Sequence, residues 1–146
     1  MKACCRPILF PLLCTLVLTA APAAAAEPSA STKLAGSWKL VAPALDPSGQ
    51  PCPFVPEGME FHSDQTASMA NMPGGRFPYK TDVTAEEKQA VLSRNPGLKG
   101  MSLLLMKPMP QMDWQSTPMV YGYTVSKKEL ILTVPGYSPA TFRRIK

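Results

Sequence analysis

Methionine is the residue type whose number and spacing most strongly suggest chemistry in this chain. Met106, Met109 and Met112 recur at every third position of a segment that prolines interrupt. Thioether sulfur is a soft ligand that selects Cu(I), and His62 and Cys52 could complete such a site. The other interpretation is that methionine fills irregular gaps in a small core. We therefore expect no cofactor, and keep Cu(I) binding by this segment as an alternative hypothesis.

The usual sequence patterns of hydrolytic enzymes do not occur in this chain. His62 is the only histidine, and a histidine that acts as a general base needs a carboxylate to orient it. Asp64 is close in sequence, but neither G-x-S-x-G nor H-E-x-x-H accompanies the pair. We therefore predict that the protein is not an enzyme.

The N-terminal residues predict export from the cytoplasm. Lys2 and Arg6 precede an apolar run at residues 8–18, which is shorter than a membrane-spanning helix requires. Small residues follow and end in Ala24-Ala25-Ala26, an A-x-A cleavage pattern. We predict a signal peptide at residues 1–26 and a periplasmic or secreted mature protein, with a retained membrane anchor as the alternative.

Cleavage after Ala26 changes the chemistry of the mature chain. It removes three of the four cysteines and leaves Cys52, so that no internal disulfide can form. Cys52 is then either buried or available to a second chain. The loss of Lys2 and Arg6 lowers the formal charge from +5 to +3, which is too small to suggest nucleic-acid binding. We predict a monomer that has no nucleic-acid partner and no transmembrane segment in the mature chain.

Short runs of alternating apolar residues predict a β domain after a flexible lead at residues 27–33. The domain spans residues 34–146, and prolines, glycines and polar turns separate its strands. Residues 43–56 and 107–118 are predicted to be proline-rich loops, and Met72-Pro73-Gly74-Gly75 is predicted to break the chain. The predicted strands are residues 37–42, 59–62, 66–71, 76–81, 101–106, 119–125, 129–134 and 140–145.

One helix interrupts the series of strands. Thr84 and Glu87 form a T-x-x-E capping box, in which each side chain satisfies a free backbone amide of the first turn. Asn95-Pro96-Gly97 ends the segment, so that the helix is predicted at residues 85–94. About seven to eight short antiparallel strands with one short helix predict a small closed or nearly closed β-barrel.

The two ends of the domain resemble lipocalin-like proteins. Gly36-Ser37-Trp38 is a G-x-W motif at the start of the first strand, and Arg143 and Arg144 lie in the last strand. The resemblance implies that Gly36, Trp38 and Arg144 (or Arg143) are structural residues that close the bottom of a lipocalin-like barrel. A guanidinium over an indole ring stabilises such a closure by roughly 0.5–2 kcal/mol. The length of the chain is similar to that of short bacterial lipocalin-like exported domains.

The same resemblance implies a binding protein for a small hydrophobic ligand or a protein partner. Small-molecule sites are mostly apolar with a few polar groups, and the candidate lining residues are Phe61, Phe77, Tyr121 and Tyr123. The alternative is a filled interior, which is common in barrels of this size. A third hypothesis is an inhibitor of an extracellular hydrolase, whose loops at residues 43–56 and 107–118 enter a cleft.

Overall fold

The structure is a computed structural model that describes residues 29–108, 114 and 118–145. Within them, eight antiparallel strands follow one another around a closed barrel. Trp38 in the first strand is the Cα partner of Arg144 in the last, and this pairing completes the ring. The prediction of a small, mostly β, lipocalin-like barrel with a short helix is confirmed. The strands are β1 (Gly36–Ala42), β2 (Gly58–Phe61), β3 (Thr66–Met69), β4 (Met72–Lys80), β5 (Ser102–Met106), β6 (Met119–Val125), β7 (Glu129–Thr133) and β8 (Ala140–Arg144).

Alternation of apolar and polar residues explains why these segments form strands around a core. Successive side chains of a strand point to opposite faces of the sheet. In β4, Phe77 and Tyr79 are buried while Arg76 is exposed, and in β7 the buried Leu130 follows the exposed Glu129. The buried side chains from all eight strands meet in one cluster in the interior of the barrel.

Strand β5 is the exception, because its last four residues are all buried. Its outer face is therefore covered, as the apolar sequence of this segment predicts. Leu98, in a 3₁₀ turn at Pro96–Leu98, lies on the neighbouring outer face of β6. A Cβ atom at Gly122 would lie 3.1 Å from the side chain of Leu98 and 2.5 Å from the sulfur of Met101. Glycine at position 122 thus allows the 3₁₀ turn to approach the sheet.

Two helices lie within the described residues, of which the first was not predicted. Helix α1 (Ala30–Leu34) is capped by Ser29 and ends with the buried Leu34, so that residues 30–33 are not an irregular lead. Helix α2 (Ala85–Arg94) has the bounds and the capping box predicted for it. No helix in residues 29–108, 114 and 118–145 combines the length and hydropathy that a membrane crossing needs.

The predicted chain break at residues 72–75 is wrong, because these residues begin β4. Met72 pairs with Met69 and Phe77 pairs with Ala67, so that β4 carries more residues than β3 between the same two pairings. The proline and glycines therefore form an irregular bulge within the strand. Bulges of this kind bend a strand and increase its twist, which a closed barrel requires.

Candidate binding site at one end of the barrel

Contacts of Trp38 with α1 and with Arg144 close one end of the barrel, which we call the closed end. The indole nitrogen of Trp38 donates a 2.8 Å hydrogen bond to the carbonyl of Leu34. The guanidinium of Arg144 lies 4.1 Å from the centre of the Trp38 ring. The same guanidinium donates hydrogen bonds to the carbonyls of Lys127, at 3.0 Å, and Lys33, at 2.6 Å. Arg144 thus ties α1 and the turn between β6 and β7 to the tryptophan.

Gly36 provides the backbone conformation that leads from α1 into β1. Its φ angle is +124°, a value that L-residues with a Cβ atom rarely adopt. The structure therefore brings Gly36, Trp38 and Arg144 together in the arrangement that the resemblance implies. Arg143 points away from this cluster and is exposed.

The interior of the barrel is filled with side chains. The side chains of Leu104, Met106, Leu130 and Phe142 have no accessible surface. A side chain that no water molecule can touch lines no cavity that could hold a ligand. The predicted lining residues are also buried, since Phe61 and Tyr121 are 2% and 1% exposed. Phe61 packs edge to face against Tyr79, with 5.0 Å between the ring centres.

The opposite end of the barrel is covered by residues 43–57, which we call the lid. Ala44 and Cys52 of the lid are buried in the interior cluster. The backbone of Leu45 forms two hydrogen bonds with Ser138, which follows β7: its amide donates to the side chain at 2.9 Å, and its carbonyl accepts from the amide at 2.8 Å. The lid is therefore attached on one side to the connection between β7 and β8.

The lid is also organised internally by Asp46. Its carboxylate accepts hydrogen bonds from the hydroxyl of Ser48 at 2.7 Å and from the amide of Gln50 at 2.8 Å. These bonds, the Ser48 hydroxyl first, hold the pKa of Asp46 below its ordinary value. An Asx-type turn of this kind fixes the tip of the lid without a buried side chain.

Tyr121 joins the lid to the barrel wall. Its hydroxyl donates a 3.0 Å hydrogen bond to the carbonyl of Phe54 in the lid. Burial, followed by proximity to Cys52, raises the pKa of Tyr121. The hydroxyl therefore remains protonated at neutral pH and can donate to the lid, whose Phe54 carbonyl is a closer acceptor than the sulfur of Met119 at 3.6 Å.

A small apolar pocket lies beside this hydrogen bond. Its volume is about 170 Å³, and it is bounded by the lid, by the first residues of β6 and by the residue that follows β7. Phe54 lines this pocket and is 56% exposed. Such an exposed aromatic side chain beside an apolar depression is typical of a binding surface. The lining residues are Phe54, Met119, Val120, Tyr121 and Val134.

The sequence identified one of these lining residues and missed the others. Of the four aromatic candidates, Tyr121 lies at the pocket, while Phe61 and Phe77 lie in the filled interior. Tyr123 lies towards the closed end, where burial raises its pKa. The signal that could have indicated the site is Phe54, the one aromatic residue inside the proline-rich loop at residues 43–56.

The hypothesis of a Cu(I) site stays a prediction. Met106 is fully buried in the interior cluster, and Met109 and Met112 lie outside the described residues. The Nε2 atom of His62 lies 3.0 Å from the Ser68 hydroxyl. No group of three or more His, Cys, Asp or Glu side chains comes together in the described part of the chain.

His62 and Asp64 do not form a hydrogen-bonded pair in the structure. The carboxylate of Asp64 accepts from the hydroxyl and amide of Thr66 and from Arg76, which lies 3.0 Å away. The Thr66 hydroxyl is the first cause that lowers the pKa of Asp64. The carboxylate therefore orders a turn rather than orienting the imidazole.

The fold and the site define a small lipocalin-like barrel with a filled interior, a lid and an apolar pocket at the lidded end. Comparison with protein-family models, with curated proteins and with solved structures finds no match for the chain. Membership of the lipocalin family therefore stays a prediction from the G-x-W motif and its arginine.

Proposed function

We propose that this protein is an exported, non-enzymatic binding domain that receives an apolar group of its partner in the pocket at the lidded end. The observation that carries this proposal is the apolar pocket beside the exposed ring of Phe54. The filled interior favours binding at the rim over transport of a ligand inside the barrel.

The size of the pocket favours a single side chain or a small ring as its occupant. An engineered protein cavity of about 150 Å³ binds benzene, and the volume here is about 170 Å³. A lipid chain would exceed this volume. A protein partner that inserts one aromatic or branched aliphatic residue fits both the volume and the exposed surroundings. A small hydrophobic ligand of one ring fits the volume of the pocket but would not cover its exposed surroundings.

Benzene titration of isotope-labelled protein by amide NMR tests the pocket. We expect shift changes at Phe54, at Met119–Tyr121 and at Val134. The Phe54→Ala variant, which removes one wall, should bind more weakly. The matched control is Val41→Ala, because Val41 is 55% exposed and does not line the pocket. Shift changes at Phe61 and Phe77 instead would contradict the proposal, since they would indicate an interior site.

Inhibition of an extracellular hydrolase is a second candidate function. The strand order places the lid and both ends of the 107–118 connection at the same end of the barrel. Two proline-rich segments at one end could enter a cleft together. A stable 1:1 complex with a protease or a lysozyme in size-exclusion chromatography, weakened by Phe54→Ala but not by Val41→Ala, would support this function.

A further inference from the structure

A group of basic residues surrounds the closed end, on the side formed by β8 and β1. We call it the basic face. It contains six basic residues, and Glu129 is the acidic residue that pairs directly with one of them. The basic residues are Lys33, Lys39, Lys127, Lys128, Arg143 and Arg144.

Backbone contacts bring these residues close together, with Lys39 and Arg143 on the outer wall of the barrel and Arg144 at its closed end. Lys39 and Arg143 are Cα partners across β1 and β8. The amide of Arg144 donates to the carbonyl of Lys128 at 2.9 Å. Its side chain reaches the carbonyls of Lys127 and Lys33, as described above. Neighbouring strands lie about 4.8 Å apart, so that the backbone positions that carry the positive charges are close together around this end of the barrel.

The charges of the basic face are not used in side-chain ion pairs among the described residues. The ion pairs there join Arg76 to Asp64 and Lys80 to Glu87, on other parts of the barrel. The Arg144 guanidinium donates to neutral carbonyls, which leaves its net charge uncompensated. The basic face therefore presents an excess of positive charge to a partner.

The surface also has a concave part and an apolar edge. A depression of about 350 Å³ lies between α1 and the turn that joins β6 to β7. Lys33, Lys127 and Arg144 line it together with Val125. Ile145, which follows Arg144, is 59% exposed. Cations around a depression can hold a phosphate group, and an exposed isoleucine beside them can enter an apolar layer.

We propose that the basic face docks on a bilayer that contains anionic phospholipid. A headgroup phosphate occupies the depression lined by Lys33, Lys127 and Arg144, and Ile145 enters the interface. The bilayer is favoured over an acidic protein because the charges are spread over two strands, a turn and a helix end, and an apolar side chain stands among them. In this orientation the lidded end points away from the membrane, which leaves the pocket beside Phe54 free.

Vesicle co-sedimentation of the full mature chain at low and high salt tests the proposal. The protein should bind vesicles that contain phosphatidylglycerol, should not bind phosphatidylcholine alone, and should dissociate at high salt. The variant Lys127→Gln/Lys128→Gln/Arg143→Gln should bind about 100-fold more weakly, because each basic side chain near an anionic surface contributes about 1 kcal/mol.

The matched control is Arg94→Gln/Lys99→Gln/Lys107→Gln, which removes the same charge from the end of α2, from the turn before β5 and from the residue after β5. These residues flank β5, which the strand order places opposite β1. The control should bind as the unchanged protein does. Equal weakening of both variants would overturn the proposal, because net charge alone would then explain the binding.

Further arms of the experiment separate the bilayer from other anions. Binding to soluble polyglutamate without binding to vesicles would overturn the proposal in favour of an acidic protein partner. Displacement by inorganic phosphate at the concentration of the lipid phosphate would overturn it in favour of a free anion. Lys127→Arg/Lys128→Arg/Arg143→Lys should restore binding, and thermal unfolding should show that every variant is folded.

Discussion

The hydrogen bond from Tyr121 to the carbonyl of Phe54 predicts how readily the lid opens. In the mature chain that is predicted to begin at Glu27, Cys52 is the only cysteine, and it is buried on the inner side of the lid at 4% exposure. A thiol in that position reacts with a disulfide reagent only after the lid has opened. The rate of labelling at Cys52 therefore reports the equilibrium between the closed and open lid.

The perturbation is Tyr121→Phe, which removes the hydroxyl and leaves the aromatic ring in place. A net hydrogen bond of this kind stabilises a structure by about 1 kcal/mol. Since about 1.4 kcal/mol is a factor of ten, we expect Cys52 to be labelled about fivefold faster. The assay is the release of chromophore from the reagent, at reagent concentrations where the rate is limited by the open fraction.

The matched control is Tyr123→Phe, on the same strand. This change also removes a tyrosine hydroxyl from the buried cluster, but at a position towards the closed end rather than under the lid. We expect little change in labelling by this variant, whatever its effect on the free energy of unfolding of the whole domain. Equal acceleration by the two variants would refute the reasoning, because Cys52 would then become exposed only when the whole barrel unfolds.

Three further predictions concern the closed end, the dependence on pH and the N-terminus. Arg144→Lys should lower the free energy of unfolding by about 1–2 kcal/mol in urea denaturation, because an ammonium group cannot bind the same carbonyls while it covers Trp38. The control is Arg143→Lys at an exposed position, which should change this free energy by less than about 0.5 kcal/mol. A change as small as that for Arg144→Lys would contradict its role in closing the barrel. Hydrogen bonding from Lys80 first, then from the Thr84 backbone, lowers the folded-state pKa of Glu87 below its ordinary value of 4.5. Its contribution to stability is therefore present above pH 4.5 and is lost as the pH falls through the lowered pKa. As the pH falls, the melting temperature of Glu87→Gln should fall less steeply than that of the unchanged protein. Identical slopes of melting temperature against pH would argue against a stabilising pair of Lys80 and Glu87. N-terminal sequencing of the exported protein should begin at Glu27, whereas an intact Met1 would contradict cleavage by a signal peptidase.

Local sequence signals were sufficient to predict α2 and most strands. The capping box of α2 joins Thr84 and Glu87 through contacts within one turn, so that the sequence contains all of the information. Strand β6 also has its predicted bounds, Met119–Val125, because apolar alternation and flanking turn residues mark both ends. The fold class follows from the number of such strands, since short antiparallel strands can bury their edges by closing into a barrel.

The bulge in β4 and helix α1 could not be predicted in this way. Proline and glycine at residues 73–75 are typical of a turn, and only the pairing of Met72 with Met69 keeps the segment in the sheet. Helix α1 has only five residues, which is too short to be stable alone. Its stability comes from Leu34 and from the bond between Trp38 and the Leu34 carbonyl, contacts that exist only in the folded protein.

Most of the candidate site was missed because it depends on contacts between distant parts of the chain. Tyr121 and the Phe54 carbonyl are separated by 67 residues. Alternation along β6 correctly places Tyr121 and Tyr123 on the same face, but it cannot tell which of them lies under the lid. That distinction depends on the register between β6 and its neighbours and on the path of the lid, neither of which leaves a local pattern.

The filled interior implies that the two ends of the barrel act independently. Tyr121 lines the pocket at the lidded end, and Val125, four residues along the same strand, lines the depression in the basic face. Four residues of a strand span about 13 Å, and changes more than about 7–10 Å apart with no shared partners usually have additive effects. The side chains between the two ends, among them Leu104 and Phe142, are inaccessible and belong to one packed cluster, which resists displacement by a ligand at either end. Removing Phe54 should therefore weaken partner binding without altering attachment to vesicles, and neutralising the basic face should do the reverse. A protein that carried both Phe54→Ala and the triple glutamine change should lose both properties by the same factors as the separate variants.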